Sequence, residues 1–457
     1  MSNNTTSQGV LFEQIADRRV AVRFDQAHSS SDGGSLLLKA LDERLGLSSS
    51  LSGCLRDGRQ ASKVQHDLQA LLRQRLFGIA CGHADGNDAA GLAEDPVHKM
   101  LVDQDPLSGR ALASQPTLSR FENAVGPKEL IQLAEVLAET VIQRHRRRKR
   151  SVDLITLDFD PTHDPTHGQQ QLSLFNWVYD TRCYLPLAGF VSFDDEAEQY
   201  LVAYVLRAGN APAKQGLLGV LDRLLPRLRA AFPKARVRIR LDAGFVGGEL
   251  YEYFEANQLE YVVCMAKNPV LQRHAEPLLE SLREAVAGGE TPQALFSECL
   301  YRAGPWTCSR RVVIKASIAL HPGRTPKDNP RFVVTNLKGD PQQIYEQIYC
   351  ARGDAENRIK ELKDGLQIDR TSCTSFHANQ FRALITAAAY VLMQELRLQA
   401  RHTTCAKAQV STLRLRLLKL GAWVERSVRR IVIHLPMHTP HAKAWHRIAR
   451  SVGAIPT

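Results

Sequence analysis

The chain has 457 residues, 44% of them apolar and 23% charged, which gives room for two to four domains of about 100–200 residues and excludes a small disulfide-stapled scaffold. Its nine cysteines are scattered singly, with no C-x-x-C; that excludes a disulfide framework or thiolate zinc site and reads as reduced cytosolic thiols. The net charge of +11 is unevenly placed, because residues 391–457 hold 12 Lys/Arg against 2 Asp/Glu, and a basic end of this kind points to a polyanion, nucleic acid first.

The opening MSNNTTSQG has neither the basic start nor the apolar stretch of a signal peptide. The apolar run Ala383–Gln394 is too short for the roughly 20 residues that span a bilayer. A soluble, non-secreted chain is therefore expected.

In chain order, residues 1–150 read as mainly helical. Leu68, Leu71, Leu72, Leu76 and Ile79 draw an apolar stripe along a helix from Lys63 to Cys81, and GHADGNDAAG ends it. A short helix TLSRFEN follows, then a helix from about Pro127 into the run Arg144-His145-Arg146-Arg147-Arg148-Lys149-Arg150, which is either a phosphate-contacting element or a solvated face.

From Ser151 the pattern alternates: Ile155, Leu157 and Phe159 share one face of a strand, and Thr156, Asp158 and Asp160 the other. Strands at Tyr184–Phe193 and Tyr200–Arg207, a helix at Lys214–Ala231, a strand at Arg236–Leu241, a helix at Gly248–Asn257 and a strand at Tyr261–Ala266 follow. This order predicts an α/β domain with a mixed sheet covered by helices. Residues 270–340 break the rhythm and read as an insertion around RRVVIKASIAL and RFVVTNL. A long helix from about Gln342 to Lys363, an apolar helix Phe381–Leu398 and the basic tail complete the chain.

Three acids stand where an element can present them to a shared site. Asp160 and Asp242 close two strands, the usual place for a site in an open sheet, although a loop acid or helix cap explains either one alone. The third, Glu356, lies in YCARGDAENRIKELK, where Tyr349, Arg352, Glu356, Lys360 and Lys363 fall on one helical face. A solvated face of i, i+4 pairs would account for Arg352, Glu356 and Lys360, but less readily for Tyr349.

These residues resemble the DDE transposases of bacterial insertion sequences, in the branch with a Tyr-x2-Arg-x3-Glu-x6-Lys signature. Tyr349, Arg352, Glu356 and Lys363 fit that spacing. LDFDPTHDPTHGQQ is similar to the first Asp-x-Thr segment of the family numbered thirteen-eighty, RIRLDAGF to its second-Asp motif, and TNL precedes the signature helix as in that family. The likeness runs from about Ser35 to Leu398.

The resemblance implies a ribonuclease-H-like mixed sheet with helices on both faces, an inserted β-rich subdomain and a helical N-terminal region. It implies that Asp160, Asp242 and Glu356 bind two Mg²⁺, with Mn²⁺ as substitute, and that Tyr349, Arg352, Lys360 and Lys363 contact DNA. The implied division is a helical DNA-binding or dimerisation region at 1–150, the catalytic domain at 151–269 and 341–398, the insertion at 270–340 and a basic DNA-binding tail at 399–457. The implied partners are double-stranded DNA, as inverted-repeat ends and target, and a second copy in a homodimer. The implied location is the cytoplasm, on the bacterial nucleoid.

One departure matters. His163 and Asp164 stand where the family often has two acids after the Thr, and Asp158, on the same strand face as Asp160, is a rival first ligand. His163 and His167 suggest zinc, but Pro161 and Pro165 block the helical register that an H-x3-H pair needs. The same residues would also serve a metal-dependent nuclease that cuts without joining, or a DNA-binding relative without activity.

Overall fold

Alternating apolar residues build eight strands into one mixed sheet in the computed structural model, which describes residues 10–149 and 151–455. They are β1 (Leu154–Pro161), β2 (Leu187–Phe193), β3 (Tyr200–Val205), β4 (Arg236–Leu241), β5 (Glu260–Met265), β6 (Leu295–Tyr301), β7 (Arg310–Ala316) and β8 (Arg331–Thr335). Their order across the sheet is β6-β7-β8-β5-β4-β1-β2-β3. The centre is parallel, with β4 between β1 and β5, and every flanking pair is antiparallel. Ile155, Leu157 and Phe159 are buried on one face of β1, and Thr156 and Asp158 on the other. Both faces of the central sheet are therefore covered, as parallel strands require.

The main helices are α1 (Leu68–Cys81), α2 (Pro127–Arg148), α3 (Leu217–Ala231), α4 (Gly248–Ala256), α5 (Pro269–Ala287), α6 (Gly353–Leu366) and α7 (Phe376–Gln399). Local chemistry sets their ends. Asp67 caps α1 by accepting from the Ala70 N–H at 2.7 Å, so the helix starts five residues after the expected Lys63. Pro127 opens α2, and the Glu129 carboxylate accepts from the Gly126 N–H at 2.7 Å.

Helix α7 is mostly apolar and buried from Ala378 to Leu398, the mark of a core helix. It packs against α1, α2, β3 and α6. One continuous core therefore joins the N-terminal helices, the sheet and the C-terminal segment. No helix among the described residues is long and apolar enough to cross a membrane.

Four sequence expectations are revised. The main strands of 270–340 do not stand apart: β6, β7 and β8 extend the central sheet beyond β5, while Ile318–Ala319 and Lys327–Asp328 pair with each other outside it. The helix expected over 342–363 is interrupted, with a π turn at Ile344–Tyr349 and a 3₁₀ turn at Cys350–Arg352 before α6 begins. The region 399–457 is not a free tail, since Cys405, Val410, Leu413, Leu417 and Leu418 are buried in the common core. Within the basic run, Arg144 and His145 are buried, Arg144 lying over the Tyr200 ring at 4.2 Å and beside Glu395 at 3.5 Å. Arg146, Arg147 and Arg148 are exposed, and Arg150 lies outside the described residues.

Candidate active site

The register of β1 and β4 places two carboxylates side by side. Arg240 pairs with Asp158 in the parallel ladder; two residues further along each strand, on the same face, come Asp242 and Asp160. Asp160 is the penultimate residue of β1. Asp242 follows β4 immediately and accepts from the Gly244 N–H at 2.9 Å, which turns the chain away from the sheet.

Glu356 reaches this place from α6 through Arg352. One guanidinium nitrogen of Arg352 donates to Asp160 Oδ2 at 3.2 Å and another to Glu356 Oε1 at 2.8 Å. Burial pushes the Asp160 carboxyl up to about 7, with Arg352 opposing the shift and Asp242 and Glu356 adding to it. Mutual repulsion of this kind needs a cation to relieve it. The positive charge of Arg352 now meets part of that need.

The donor set is oxygen alone and suits a hard divalent cation such as Mg²⁺ or Mn²⁺ rather than zinc. The set is open: among the described residues, the one group of three His, Cys, Asp or Glu side chains whose ligand atoms all lie within 4.8 Å of one another is elsewhere, at Asp32, His83 and His98.

Asp158 is held by other partners beneath the pair. Its carboxylate is fully buried and accepts from Arg240 Nε at 2.8 Å, Arg240 Nη2 at 2.6 Å and Gln199 Nε2 at 2.9 Å. Burial raises its pKa against the pull of Arg240, and the two-pronged guanidinium contact is the geometry of a held ion pair. Arg240 also donates to the Ile348 carbonyl at 3.0 Å. It thereby fastens the floor of the site to the π turn that leads into the signature helix, and such turns cluster at functional sites.

The remaining signature residues separate. Tyr349 is half-buried, packs against the cluster of Val262, Val313 and Val333 and meets the Tyr345 ring at 5.5 Å. Burial raises its phenol well above the usual range, with Cys264 adding to the shift and Arg352 opposing it. Lys363 donates to the His163 carbonyl and lies 3.9 Å from Asp369, so it stands beside the loop that follows β1. Lys360 is exposed, and no contact joins it to the three acids.

Sequence reading noted Asp164 as a departure from the family pattern and gave it no role. Its fully buried carboxyl meets the Thr371 hydroxyl at 3.0 Å, and burial lifts its pKa to about 8. The native state therefore binds a proton that the unfolded chain releases near pH 3.9. The contribution of the neutral carboxyl is fully present below that value and is lost as pH rises toward 8. Asp164→Asn should gain stability relative to wild type as pH rises from 5 to 8, by up to about 1.4 kcal/mol per pH unit, seen as a widening gap in melting temperature. Thermal scans across that range check it, and parallel curves would show an ionised Asp164.

The Asp32 group is a different kind of assembly. Asp32 Oδ2 meets His83 Nε2 at 2.9 Å and His98 Nε2 at 2.8 Å, and Lys419 Nζ donates to Oδ1 at 2.7 Å. Lys419 supplies positive charge where a bound cation would. The cluster joins the segment before Gly33 and Gly34 to the C-terminal region, and a side chain at Gly34 would collide with the Leu417 carbonyl.

A sequence model of the family described as Transposase DDE domain group 1 matches residues 12–456. The chain belongs to that family. No curated protein matches the chain.

Proposed function

We propose that the chain is an insertion-sequence transposase that binds the inverted-repeat ends of its own element, cleaves them and joins them to target DNA by cut-and-paste. The branch we infer is that of the Tyr-Arg-Glu-Lys signature, nearest the family numbered thirteen-eighty. The observation that carries the reading is the register-matched pair Asp160 and Asp242 at the ends of adjacent parallel strands, linked by Arg352 to Glu356.

In this reading Asp160, Asp242 and Glu356 would hold two Mg²⁺, which when bound would supply activation of a water or 3′-hydroxyl and stabilisation of the leaving oxygen. The protein's own part is to hold and orient. Asp158 and Arg240 fix the strand ends that carry the two aspartates. Arg352, released from the carboxylates, would donate to a phosphate near the scissile bond, Tyr349 would position the DNA, and Lys360 and Lys363 would hold the backbone. The N-terminal helices and the basic C-terminal region would supply end recognition and the contacts of a homodimer, at work on the nucleoid.

The test is a plasmid carrying the repeats that flank the coding region, incubated with the protein and Mg²⁺. Breaks at the repeat boundaries and joined products bounded by a short target duplication are expected. Cleavage without joining would reduce the protein to a nuclease, and binding without cleavage to an inactive relative.

Arg352 and Tyr349 should behave differently. Arg352→Ala is expected to impair every step. Tyr349→Ala should slow steps that need distorted DNA more than the first nick, while Tyr349→Phe keeps the packing. Time courses with melting temperatures check this: a uniform slowdown that tracks stability would leave Tyr349 a packing residue.

A further inference from the structure

Immediately after β1 the chain makes a short sheet beside the acids, in which Leu174–Asn176 and Thr181–Tyr184 form a hairpin and Asp164–Pro165 adds a third strand. Its base is fixed to the body. The Gln171 N–H donates to the Thr374 carbonyl at 3.0 Å, the Phe376 N–H to Gln171 Oε1 at 3.1 Å, and the Tyr184 hydroxyl to the Gln171 carbonyl at 2.7 Å. Asn176 Nδ2 donates to the Gly209 carbonyl at 2.7 Å, and a side chain at Gly209 would collide with the Cys183 and Leu174 carbonyls.

The tip is apolar and open. Asn176 Oδ1 accepts from the Val178 N–H at 2.9 Å, an Asx turn that sets the backbone, and Asp180 closes it at φ 50°. Trp177 and Val178 are 87% and 86% exposed. Phe175 meets the Trp177 ring edge-on at 4.8 Å, and Tyr179 stacks on His163 at 4.6 Å.

Stacking of Tyr179 on His163, three residues beyond Asp160, sets the tip at the edge of the acids. Burial raises the Tyr179 phenol, and the charges of Asp160 and Asp242 raise it further, so Tyr179 lies within electrostatic reach of both acids. Lys363, bound to the His163 carbonyl, brings positive charge to the same edge. A cluster of exposed aromatic rings marks an interaction surface. Flat rings next to a cation and a phosphodiester-cutting site match a base and its phosphate better than a protein surface.

We propose that Trp177, with Phe175 and Tyr179, is a stacking platform for one unpaired nucleobase next to the scissile phosphate. This rests on the transposase reading above. A base drawn out of the duplex onto these rings would free the backbone to bend into the acids, and the stacking would offset the cost of unpairing.

The test uses the full-length protein and end duplexes with 2-aminopurine placed in turn at the positions around the cut. Wild type should unstack the probe at one position, seen as a fluorescence change confined to it. Trp177→Ala should bind the ends nearly as well and melt at the same temperature, because the side chain is exposed. It should lose that signal and cut the paired end about 10-fold or more slowly, within the range base–aromatic stacking allows. A mismatch at that position should restore its rate, and Trp177→Phe should keep most of it.

Equal cutting of paired and mismatched ends by Trp177→Ala at the wild-type rate would overturn the platform alone. So would a loss confined to self-association, which would make the tip a contact between copies. Wild type that neither binds nor cuts the ends would overturn the transposase reading, and the platform with it.

Discussion

Replacing Asp242 by Asn, or Glu356 by Gln, should abolish Mg²⁺-dependent cleavage of end DNA and leave end binding nearly unchanged. Each change removes one charged oxygen donor from a site made of three, while the basic surfaces stay intact. A loss of about 10³-fold or more is expected, the equivalent of about 4 kcal/mol of barrier. Asp160→Asn should do the same. Asp158→Asn should differ in kind, because it breaks the buried pair with Arg240 and leaves a guanidinium without its partner, a loss of about 3–5 kcal/mol of stability. Its activity should fall only with its folded fraction. Nicking assays beside thermal melts separate the two behaviours. Near-normal cutting by the Asp242 or Glu356 variant would refute the triad, and loss of cutting by Asp158→Asn at full stability would move the first ligand to Asp158.

The second large effect is expected far from the acids, at Asp32. Its fully buried carboxylate accepts from His83, His98 and Lys419. Burial alone would raise its pKa, but the bonds from the two histidines and the lysine win and hold it far below the usual carboxylate range. Asp32→Asn keeps an acceptor, loses the charge and leaves Lys419 beside an uncompensated pocket, for a cost of about 3–5 kcal/mol. A depressed folded pKa contributes stability above the unfolded value near 3.9 and loses it as pH falls toward the folded one. Wild type should therefore lose stability more steeply than Asp32→Asn below about pH 4. Chelator should leave the melting temperature unchanged at neutral pH. A drop in wild type that Asp32→Asn does not share would mean that the cluster holds a metal ion rather than the lysine.

Much of this was legible in local pattern, and what was not depends on pairing across the chain. Alternation put Asp158 and Asp160 on one face of β1, and Arg240 and Asp242 on one face of β4. Nothing local says that these strands are neighbours, so the Arg240–Asp158 pair beneath the site stayed hidden. The same limit misread residues 270–340: Pro and Gly punctuation looks like a boundary, whereas β8 finds its partner β5 across 66 residues between Met265 and Phe332. The signature spacing assumed an unbroken helix and could not register a π turn at Ile344–Tyr349. Charge counting made residues 399–457 a tail because it ignored Leu413, Leu417 and Leu418, whose helical spacing marks a buried face.

The placement of α7 has a consequence for how the protein is made. The N-terminal helices pack on a core helix encoded at 376–399, and Leu417 and Ile448 complete the same interior. A ribosome delivers those residues long after the N-terminal helices, so the early helices wait, incompletely packed, until their partners have been made. Chains stalled near residue 370 should be cut readily by protease where the finished protein resists. On the transposase reading, a chain stopped before α7 would then be cleared rather than compete for the element's ends.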